Sequence, residues 1–335
     1  MKIKNIVSSK KILVIGDVIL DHYIHGRVFR VSPEAPVPVV LKSNSVYCLG
    51  GAANVAQNVT SFGSECYLLG ITGLDQSGEI VKELCKQKGV ITMLVEDPAR
   101  VTTEKTRIVG NNHQIARIDS ESTEPISEHI QNLLLQEFER VISIIDGVII
   151  QDYGKGLLTE IILQEIISRC KKYEKVVLVD PKEKDFNRYS GADWIKPNLS
   201  ELKNAAEIQA HKSLSVDEII KVGDQIRKNF SFGNILVTMS ENGMLAKGEN
   251  FSETVDGYKI DVTDVSGAGD TVSAVFMLMH LSGVCIKDTL DISNLAGSMV
   301  CRISGAVPIN TNDLFVEALN LGMGLENSFF ENLLV

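Results

Sequence analysis

The chain has 335 residues, of which 44% are hydrophobic and 23% charged, and its formal net charge is −10. This composition is that of a folded globular protein, and the acidic balance argues against a general nucleic-acid or membrane-surface role. The length allows either one large domain with a small appendage or two domains.

Six cysteines are scattered without a C-x-x-C pair, and the six histidines show no spacing typical of a zinc site. We therefore expect reduced thiols and a cytoplasmic protein. Lysines precede the apolar run Ile12–Ile15, but Gly16 and Asp17 end that run too early for a secretion signal. No run approaches the ~20 apolar residues of a membrane span, so we expect no membrane association.

Strand and helix patterns alternate along the chain. The first is the continuous apolar run Lys11–Gly16, typical of a buried strand, and helical spacing follows over Asn54–Phe62. Further strands are predicted at Cys66–Ile71, Gly147–Gln151, Val176–Val179 and Ile235–Thr238, and further helices at Gly78–Lys88, Leu158–Tyr173, Thr271–Ser282 and Thr289–Arg302. Such alternation predicts an α/β fold with a mostly parallel central sheet flanked by helices.

Two stretches, residues 23–46 and 101–119, interrupt this alternation. The first carries three prolines, the last of them Pro38, and proline is excluded from a central parallel strand. The second is rich in Thr, Val and Ile, with a hairpin turn predicted at Gly110-Asn111-Asn112. We expect the two stretches to form a small antiparallel β lid over the carboxyl ends of the strands, where open α/β sheets bind ligands.

Single aromatic residues receive structural interpretations. Trp194, the one tryptophan, is expected to pack in the core. His22, His25 and His113 fall in or beside the lid segments, where we expect surface positions and assign no chemistry.

The segment Asp264–Thr271 has the chemistry of phosphoryl transfer. Gly267-Ala268-Gly269 allows backbone N–H groups to approach phosphate oxygens, and the following helix directs its positive end at the same anion. Asp270 can then accept the proton of an attacking hydroxyl. A glycine-rich turn with an Asp cap is the structural alternative. Gly50-Gly51-Ala52-Ala53-Asn54 and Asn198-x-x-Glu201, however, occur in the order that a sugar kinase needs.

On these segments the chain resembles the ribokinase-like (PfkB) carbohydrate kinases over nearly its whole length. Longer strings are similar to those of the heptose-7-phosphate kinases of that family, including the kinase half of bifunctional heptose enzymes; they are residues 16–21, 32–39, 151–156, 180–182 and 196–201. The resemblance implies a single kinase domain over 1–335 with a ribokinase-like fold. It also implies ATP and Mg²⁺ as cofactors and leaves open a K⁺ site near the Asp264 loop.

The implied reaction is phosphorylation of the anomeric hydroxyl of D-glycero-D-manno-heptose 7-phosphate to the 1,7-bisphosphate, a precursor of ADP-heptose and the lipopolysaccharide core. Bifunctional relatives continue into a nucleotidyltransferase domain with an H-x-G-H-type site. The chain reaches Val335 without one, so we expect the kinase step alone.

The resemblance also implies roles for three groups of residues. Catalysis would fall to Asp270 as general base and to the amides of Gly267, Ala268 and Gly269 as an anion hole. The nucleotide would be held by Asn198, Glu201, Thr238, Ser240, Glu241, Gly243 and Asn294, with Asn198 and Glu201 also organising Mg²⁺ through water. The sugar hydroxyls would be held by Asp21, Gly50, Gly51 and Asn54, although Asn54 could merely cap its helix.

A sugar that already carries a phosphate needs a second, distal anion site. We favour Lys105, Arg107 and Lys155 over the other candidates Arg30, Arg117 and Lys182. For each of these cations a solvated surface position is the structural alternative. Asp152 is a further substrate candidate, but it ends an apolar strand, as Asp180 does, and capping of the next turn explains both equally well.

Three alternatives stay open. A PfkB kinase for another sugar, such as ribose, fructose or a phosphorylated hexose, would keep Asp270 but would not need the distal cations. A non-catalytic sugar-binding regulator on the same fold would not need a base. A dinucleotide-dependent dehydrogenase is disfavoured because no G-x-G-x-x-G follows the first strand. We also expect a homodimer in which two lids cover each other's strand edges.

Overall fold

Two β-sheets organise the computed structural model, which describes residues 7–111, 113–182, 184–303 and 305–323. The strands of the described residues are β1 (Lys11–Gly16), β2 (Val18–Val31), β3 (Pro38–Gly51), β4 (Glu65–Thr72), β5 (Ile91–Glu96), β6 (Thr103–Gly110), β7 (His113–Ser120), β8 (Gly147–Gln151), β9 (Val176–Asp180), β10 (Trp194–Ile195), β11 (Asn234–Thr238), β12 (Met244–Lys247) and β13 (Ser252–Val255). The larger sheet has the order β13-β12-β11-β10-β9-β8-β1-β4-β5, and the smaller has the order β3-β2-β6-β7.

The larger sheet is parallel from β11 through β5, and its antiparallel pairs in the described residues are β11–β12 and β12–β13, so that β12 alone runs in the opposite direction. The carboxyl ends of β1, β8, β9, β10 and β11 therefore meet along one edge. Polar residues that follow these strands come together there, as expected for an open α/β sheet.

Helices cover both faces of the larger sheet. They are α1 (Ala52–Ser61), α2 (Gln76–Gln87), α3 (Glu128–Val141), α4 (Glu160–Lys172), α5 (Leu199–Ala205), α6 (Val216–Asn229), α7 (Ala268–Leu281), α8 (Ile286–Val300) and α9 (Thr311–Asn320), with short 3₁₀ turns at Phe186–Tyr189 and Ser240–Asn242. In β1, Ile12 and Val14 pack into the core formed with α1, α7 and α8, while Leu13 and Ile15 pack into the core with α3 and α4. This alternation confirms the predicted helices on both sides.

The predicted elements are all present, with ends shifted by up to three residues. The most consequential shift is at α7, which begins at Ala268 instead of the predicted Thr271, so that Asp270 lies inside the first helical turn. Elements without a sequence prediction include β5, α3, α6 and α9. None of the helices in the described ranges is long and apolar enough to cross a bilayer, and all six cysteines are free thiols.

The predicted small second sheet is present, but one of its strand pairs differs from the predicted antiparallel arrangement. The pairs β2–β3 and β6–β7 are antiparallel as predicted, whereas β2–β6 is parallel. The reason is the route of the chain: β2 leaves the carboxyl end of β1, β6 leaves the carboxyl end of β5, and both run outward in the same direction. Pro38 opens β3 at the sheet edge, and Asn111 takes the hairpin turn with φ of 51°, while Asn112 lies outside the described residues.

Two of the aromatic expectations are informative. Trp194 is buried against Phe276, confirming its core position. The surface expectation is wrong for His22, whose side chain is only 12% exposed. Its ring nitrogens lie 3.1 Å from Glu104 Oε1 and 2.7 Å from Ser45 Oγ, because neighbouring strands bring these polar groups onto one face.

Candidate active site

The start of α7 presents open backbone amides. Gly267 precedes the helix with φ of 81°, a left-handed conformation that glycine adopts without strain, and a Cβ there would lie 2.5 Å from Asn54 Nδ2. Among the described residues, the amides of Gly267, Gly269 and Asp270 have no acceptor, whereas the Ala268 amide donates to the Val265 carbonyl at 3.3 Å. The open amides therefore differ from the predicted set, with Asp270 in place of Ala268.

Asp270 is buried and held on both carboxylate oxygens. Oδ2 accepts a hydrogen bond from Asn54 Nδ2 at 2.8 Å, and Oδ1 accepts from the Tyr153 hydroxyl at 2.8 Å and from Gln151 Nε2 at 3.1 Å. Burial raises the pKa of Asp270 to about 7, and the nearby charge of Asp180 acts in the same direction. The carboxyl group is thus fixed in orientation and changes its protonation near neutral pH.

A buried cation lies beside these amides. Lys196 is 3% exposed, and its ammonium nitrogen is 2.8 Å from Asp180 Oδ2 and 3.6 Å from where a Cβ of Gly269 would lie. Asp180 Oδ2 also accepts hydrogen bonds from Gln151 Nε2 at 2.9 Å and Ser273 Oγ at 3.3 Å. A positive charge, open amides and an ionisable carboxylate therefore share one end of a single cavity.

That cavity has a volume of about 740 Å³. It is lined by every residue that the sequence assigns to the nucleotide: Asn198, Glu201, Thr238, Ser240, Glu241, Gly243 and Asn294. Ala268, Gly269 and Asp270 close one end, and apolar side chains such as Tyr258, Ile260 and Val262 line another part of its wall. The Asn294 amide donates to the Asp256 carbonyl at 2.8 Å, so its donor group is already engaged.

Asn198 and Glu201 form a reciprocal capping box at the start of α5. The Asn198 side chain accepts from the Glu201 amide, and the Glu201 carboxylate accepts from the Asn198 amide, both at 2.9 Å. Burial raises the pKa of Glu201, and the charge of Asp180 adds to this. Each side chain keeps one polar atom without a hydrogen bond to the described residues, and both residues line the cavity.

The residues predicted to hold sugar hydroxyls are not among those that line this cavity. Asp21 forms an ion pair with Arg107, and a Cβ at Gly50 would lie 2.4 Å from Asp21 Oδ2, so a larger residue at position 50 would displace this carboxylate. Gly51 caps α1 with φ of 55°. Asn54, in the first turn of α1, touches Asp270 and so joins the two regions.

The basic residues considered for the distal phosphate lie in different parts of the structure. Strand register puts Asp21, Lys105 and Asp119 in one cross-strand row, with Tyr23, Arg107 and Arg117 in the row two residues further along the same face. Burial lowers the pKa of Lys105, and the charge of Lys155 adds to this, so the two ammonium groups are neighbours. Lys155 is 2.8 Å from Glu121, whereas Lys105 has no ion-pair partner among the described residues.

Three other candidates are less suited to a shared distal site. Lys182 lines the large cavity, Arg30 is exposed near the far end of β2, and Arg117 pairs with Asp119 at 2.8 Å.

The loop after β8 is held by two carboxylates. Asp17 Oδ2 accepts from the amides of Tyr153 at 2.8 Å and Lys155 at 3.1 Å, and burial together with the charge of Asp152 raises the pKa of Asp17 to about 6. Asp152 accepts from the Gly154 amide and, at 2.6 Å, from the Tyr189 hydroxyl. Both oxygens of Asp152 thus bind protein groups, as the turn-capping alternative requires, although the residue also lines the cavity.

Sequence reasoning assigned no role to Gln151, Tyr153 or Lys196. Gln151 ends β8, Tyr153 follows it, and Lys196 follows β10. The signal that could have found them is the one applied to Asp152 and Asp180, namely a polar residue at the carboxyl end of a buried parallel strand.

Comparisons with protein families and with known proteins find sequences similar to this chain. A family model described as pfkB family carbohydrate kinase matches residues 9–312. The chain is similar to the bifunctional protein HldE of Helicobacter pylori, with 39% identity over 300 residues that make up 89% of this chain and 64% of that relative. The chain thus spans about 64% of that relative's length.

Solved structures give the same fold at lower identity. The chain is similar to phosphofructokinase-2 from Escherichia coli in complex with substrates and products, with a TM-score of 0.77, 17% identity, and coverage of 93% of this chain and 99% of that one. It is also similar to Arabidopsis thaliana ribokinase complexed with ribose and ATP, with a TM-score of 0.71, 16% identity, and coverage of 93% and 99%. These likenesses confirm the predicted ribokinase-like fold.

Proposed function

Because the chain belongs to the pfkB family of carbohydrate kinases, we propose that it transfers the γ-phosphoryl group of ATP to the anomeric hydroxyl of D-glycero-D-manno-heptose 7-phosphate. The product would be the 1,7-bisphosphate, an intermediate that a nucleotidyltransferase could convert to ADP-heptose for lipopolysaccharide. The single observation that carries the chemistry is the buried Asp270 beside open helix amides and the Lys196 ammonium.

Asp270 is proposed as the general base. Three hydrogen bonds hold its carboxylate, and burial raises its pKa to about 7, so that its protonation changes near neutral pH. A base with a pKa near the working pH combines a useful population of the active form with a strong tendency to take the proton. General base catalysis of this kind contributes about 10²–10⁴ in rate.

The amides of Gly267, Gly269 and Asp270, with Lys196, are proposed to bind the transferred phosphoryl group. They lie at the positive end of α7, where an anion is stabilised by both the helix dipole and the N–H groups. Because these donors are fixed before the reaction, they stabilise developing charge without reorganisation. Lys196 can contact this anion while remaining close to Asp180, its present partner.

The residues present fit a nucleotide with Mg²⁺. The cavity combines polar groups at the phosphate end with an apolar wall where a base can pack, and the free polar atoms of Asn198 and Glu201 suit a hydrated cation. Among the described residues no group of three or more His, Cys, Asp or Glu encloses a metal. Mg²⁺, when bound, would neutralise phosphate charge, and Glu201 and Asn198 would hold it through water.

The proposed substrate rests on a second group of residues. Lys105 is half-buried, has no ion-pair partner among the described residues and neighbours Lys155, on the sheet face that carries Asp21. Two cations without full compensation suit a phosphate remote from the reacting hydroxyl. The heptose itself is supported by the likeness to HldE and by the long strings shared with heptose-7-phosphate kinases.

The test is ATP consumption by the native chain and by Asp270→Asn with four sugars: heptose 7-phosphate, ribose, fructose and fructose 6-phosphate. We expect turnover with the heptose phosphate, at least ~10²-fold less for the variant. Preference for another sugar would leave the kinase assignment and overturn the substrate. Binding of a sugar without any turnover would favour a non-catalytic sugar-binding regulator.

We also propose a homodimer formed through the small sheet. Phe29, Val31 and Leu41, on the far ends of β2 and β3, are 72%, 63% and 66% exposed, and β3 leaves an open edge. Exposed apolar side chains beside an unpaired strand are usually covered by a partner.

A cytoplasmic location and a K⁺ site near the Asp264 loop are also proposed. Activity measured in K⁺ buffer against Na⁺ buffer tests the K⁺ site.

A further inference from the structure

Gln151, at the carboxyl end of β8, joins the buried carboxylate of Asp270 to the partly buried carboxylate of Asp180. Its Nε2 donates to Asp180 Oδ2 at 2.9 Å and to Asp270 Oδ1 at 3.1 Å, and the side chain is almost fully buried. The orientation of the amide is determined by this pairing, because the reversed amide would bring its oxygen against two carboxylate oxygens. Gln151 Oε1 is left without a hydrogen-bond partner among the described residues.

An unpaired buried acceptor is costly, and proteins retain such groups where position matters more than stability. In Gln151 the unpaired acceptor is Oε1, and both N–H groups of the same amide donate hydrogen bonds to carboxylates. These contacts indicate that the role of the Gln151 amide is to hydrogen-bond both carboxylates.

The two carboxylates differ in what else they touch. Asp180 is paired with Lys196 at the phosphoryl end of the cavity, and Asp270 is the proposed base. The titratable groups that face Asp270 are Asp180, Lys196 and Tyr153. Gln151 is the one side chain in the described structure that hydrogen-bonds both carboxylates, so it completes a row Lys196–Asp180–Gln151–Asp270.

We propose that Gln151 is a positioning residue that fixes Asp270 relative to the Lys196–Asp180 pair, so that base and phosphoryl-binding ammonium form one rigid unit. The proposal rests on the kinase function proposed above and deepens it. In this proposal Gln151, which also lines the cavity, acts on the reaction without binding the sugar or the transferred group. Its effect is exerted through Asp270, whose charged form it stabilises by a hydrogen bond and separates from the charge of Asp180.

Gln151→Met tests this, because methionine has a similar size and cannot donate. Loss of the donor disfavours the ionised form of Asp270. The acid limb of the pH profile, where kcat rises with pH as Asp270 loses its proton, should therefore move up by about one to two pH units. The rate should therefore fall about five- to fiftyfold at pH 7, and much of it should return at pH 9. The matched control is Ser273→Ala, which removes a contact to Asp180 without touching Asp270 and should leave the limb in place.

An equal fold loss at every pH, with the limb unmoved, would mean a merely structural role and would overturn the proposal; an unchanged rate would do the same. If Gln151→Met does not fold, Gln151→Glu retains the shape, adds a carboxyl group between Asp180 and Asp270, and should move the limb in the same direction.

A second readout needs no turnover. The difference in unfolding free energy between a protein that has Asp270 and its Asp270→Asn variant changes with pH until Asp270 is fully ionised. The pH at which this difference becomes constant therefore reports the protonation of Asp270, and it should be higher in the Gln151→Met background. If the wild type turns over no sugar, the proposed function fails and this titration still decides the role of Gln151. If the wild type is active and neither readout moves, only the inference about Gln151 fails.

Discussion

Replacement of Asp270 by asparagine should make the protein less active and, at high pH, more stable. In the folded protein burial raises the pKa of Asp270 to about 7, against a value of 3.8 for an unburied aspartate. Between these values the folded state holds a proton that the unfolded state has released, so stability falls as pH rises. The contribution is fully present below about pH 4 and is lost through pH 7.

The magnitude follows from the shift. About three pH units at ~1.4 kcal/mol each give ~4 kcal/mol over the whole range, of which ~2 kcal/mol falls between pH 5 and pH 7. Asparagine does not ionise and removes this dependence. It also brings an NH₂ group against the donors Asn54, Gln151 and Tyr153, a pH-independent cost of ~1–3 kcal/mol.

The assay is urea unfolding of both proteins at pH 5, 6, 7 and 8. The stability of Asp270→Asn relative to wild type should rise by ~2 kcal/mol from pH 5 to pH 7 and level off by about pH 8. The matched control is Asp17→Asn, which should give the same slope and level off about one unit lower, since the pKa of Asp17 is raised only to about 6. A difference between wild type and Asp270→Asn that is constant with pH would refute the reasoning.

Four further outcomes are expected. Lys196→Met should lower kcat by ~10²–10³ with little change in the KM of the sugar, because it removes one charge from the proposed phosphoryl site; an unchanged kcat would exclude that role. Lys105→Met should raise the KM for phosphorylated sugars about tenfold or more and leave the KM for unphosphorylated ones unaltered, and equal changes for both would count against a distal phosphate site. Tyr23→Phe should raise the unfolding free energy by ~1 kcal/mol, since the buried hydroxyl has no partner among the described residues, and a loss of that size in urea unfolding would contradict this. Leu41→Lys should shift the proposed dimer toward monomer by light scattering at micromolar concentration, while the control Val316→Lys, at a 56% exposed position on α9, should not.

Local signals in the chain determined much of the fold and one end of the site. Apolar runs and helical spacing predict strands such as β1 and helices such as α4 because both depend on side chains a few positions apart. The Gly267-Ala268-Gly269-Asp270 segment predicts an anion site with a carboxylate beside it, and all of its parts lie within one turn. Proline likewise excludes β3 from the centre of a sheet without reference to its partners.

The neighbours of Asp270 were decided by tertiary structure alone. Asn54 lies 216 positions before it and Gln151 119 positions before it, and only the strand order, with β1 between β4 and β8, brings them within hydrogen-bond distance. The same holds for the parallel pairing of β2 with β6 and for the burial of His22. Sequence spacing carries no information on which strand ends are adjacent, whereas the burial that raises the pKa of Asp270 depends on all of them at once.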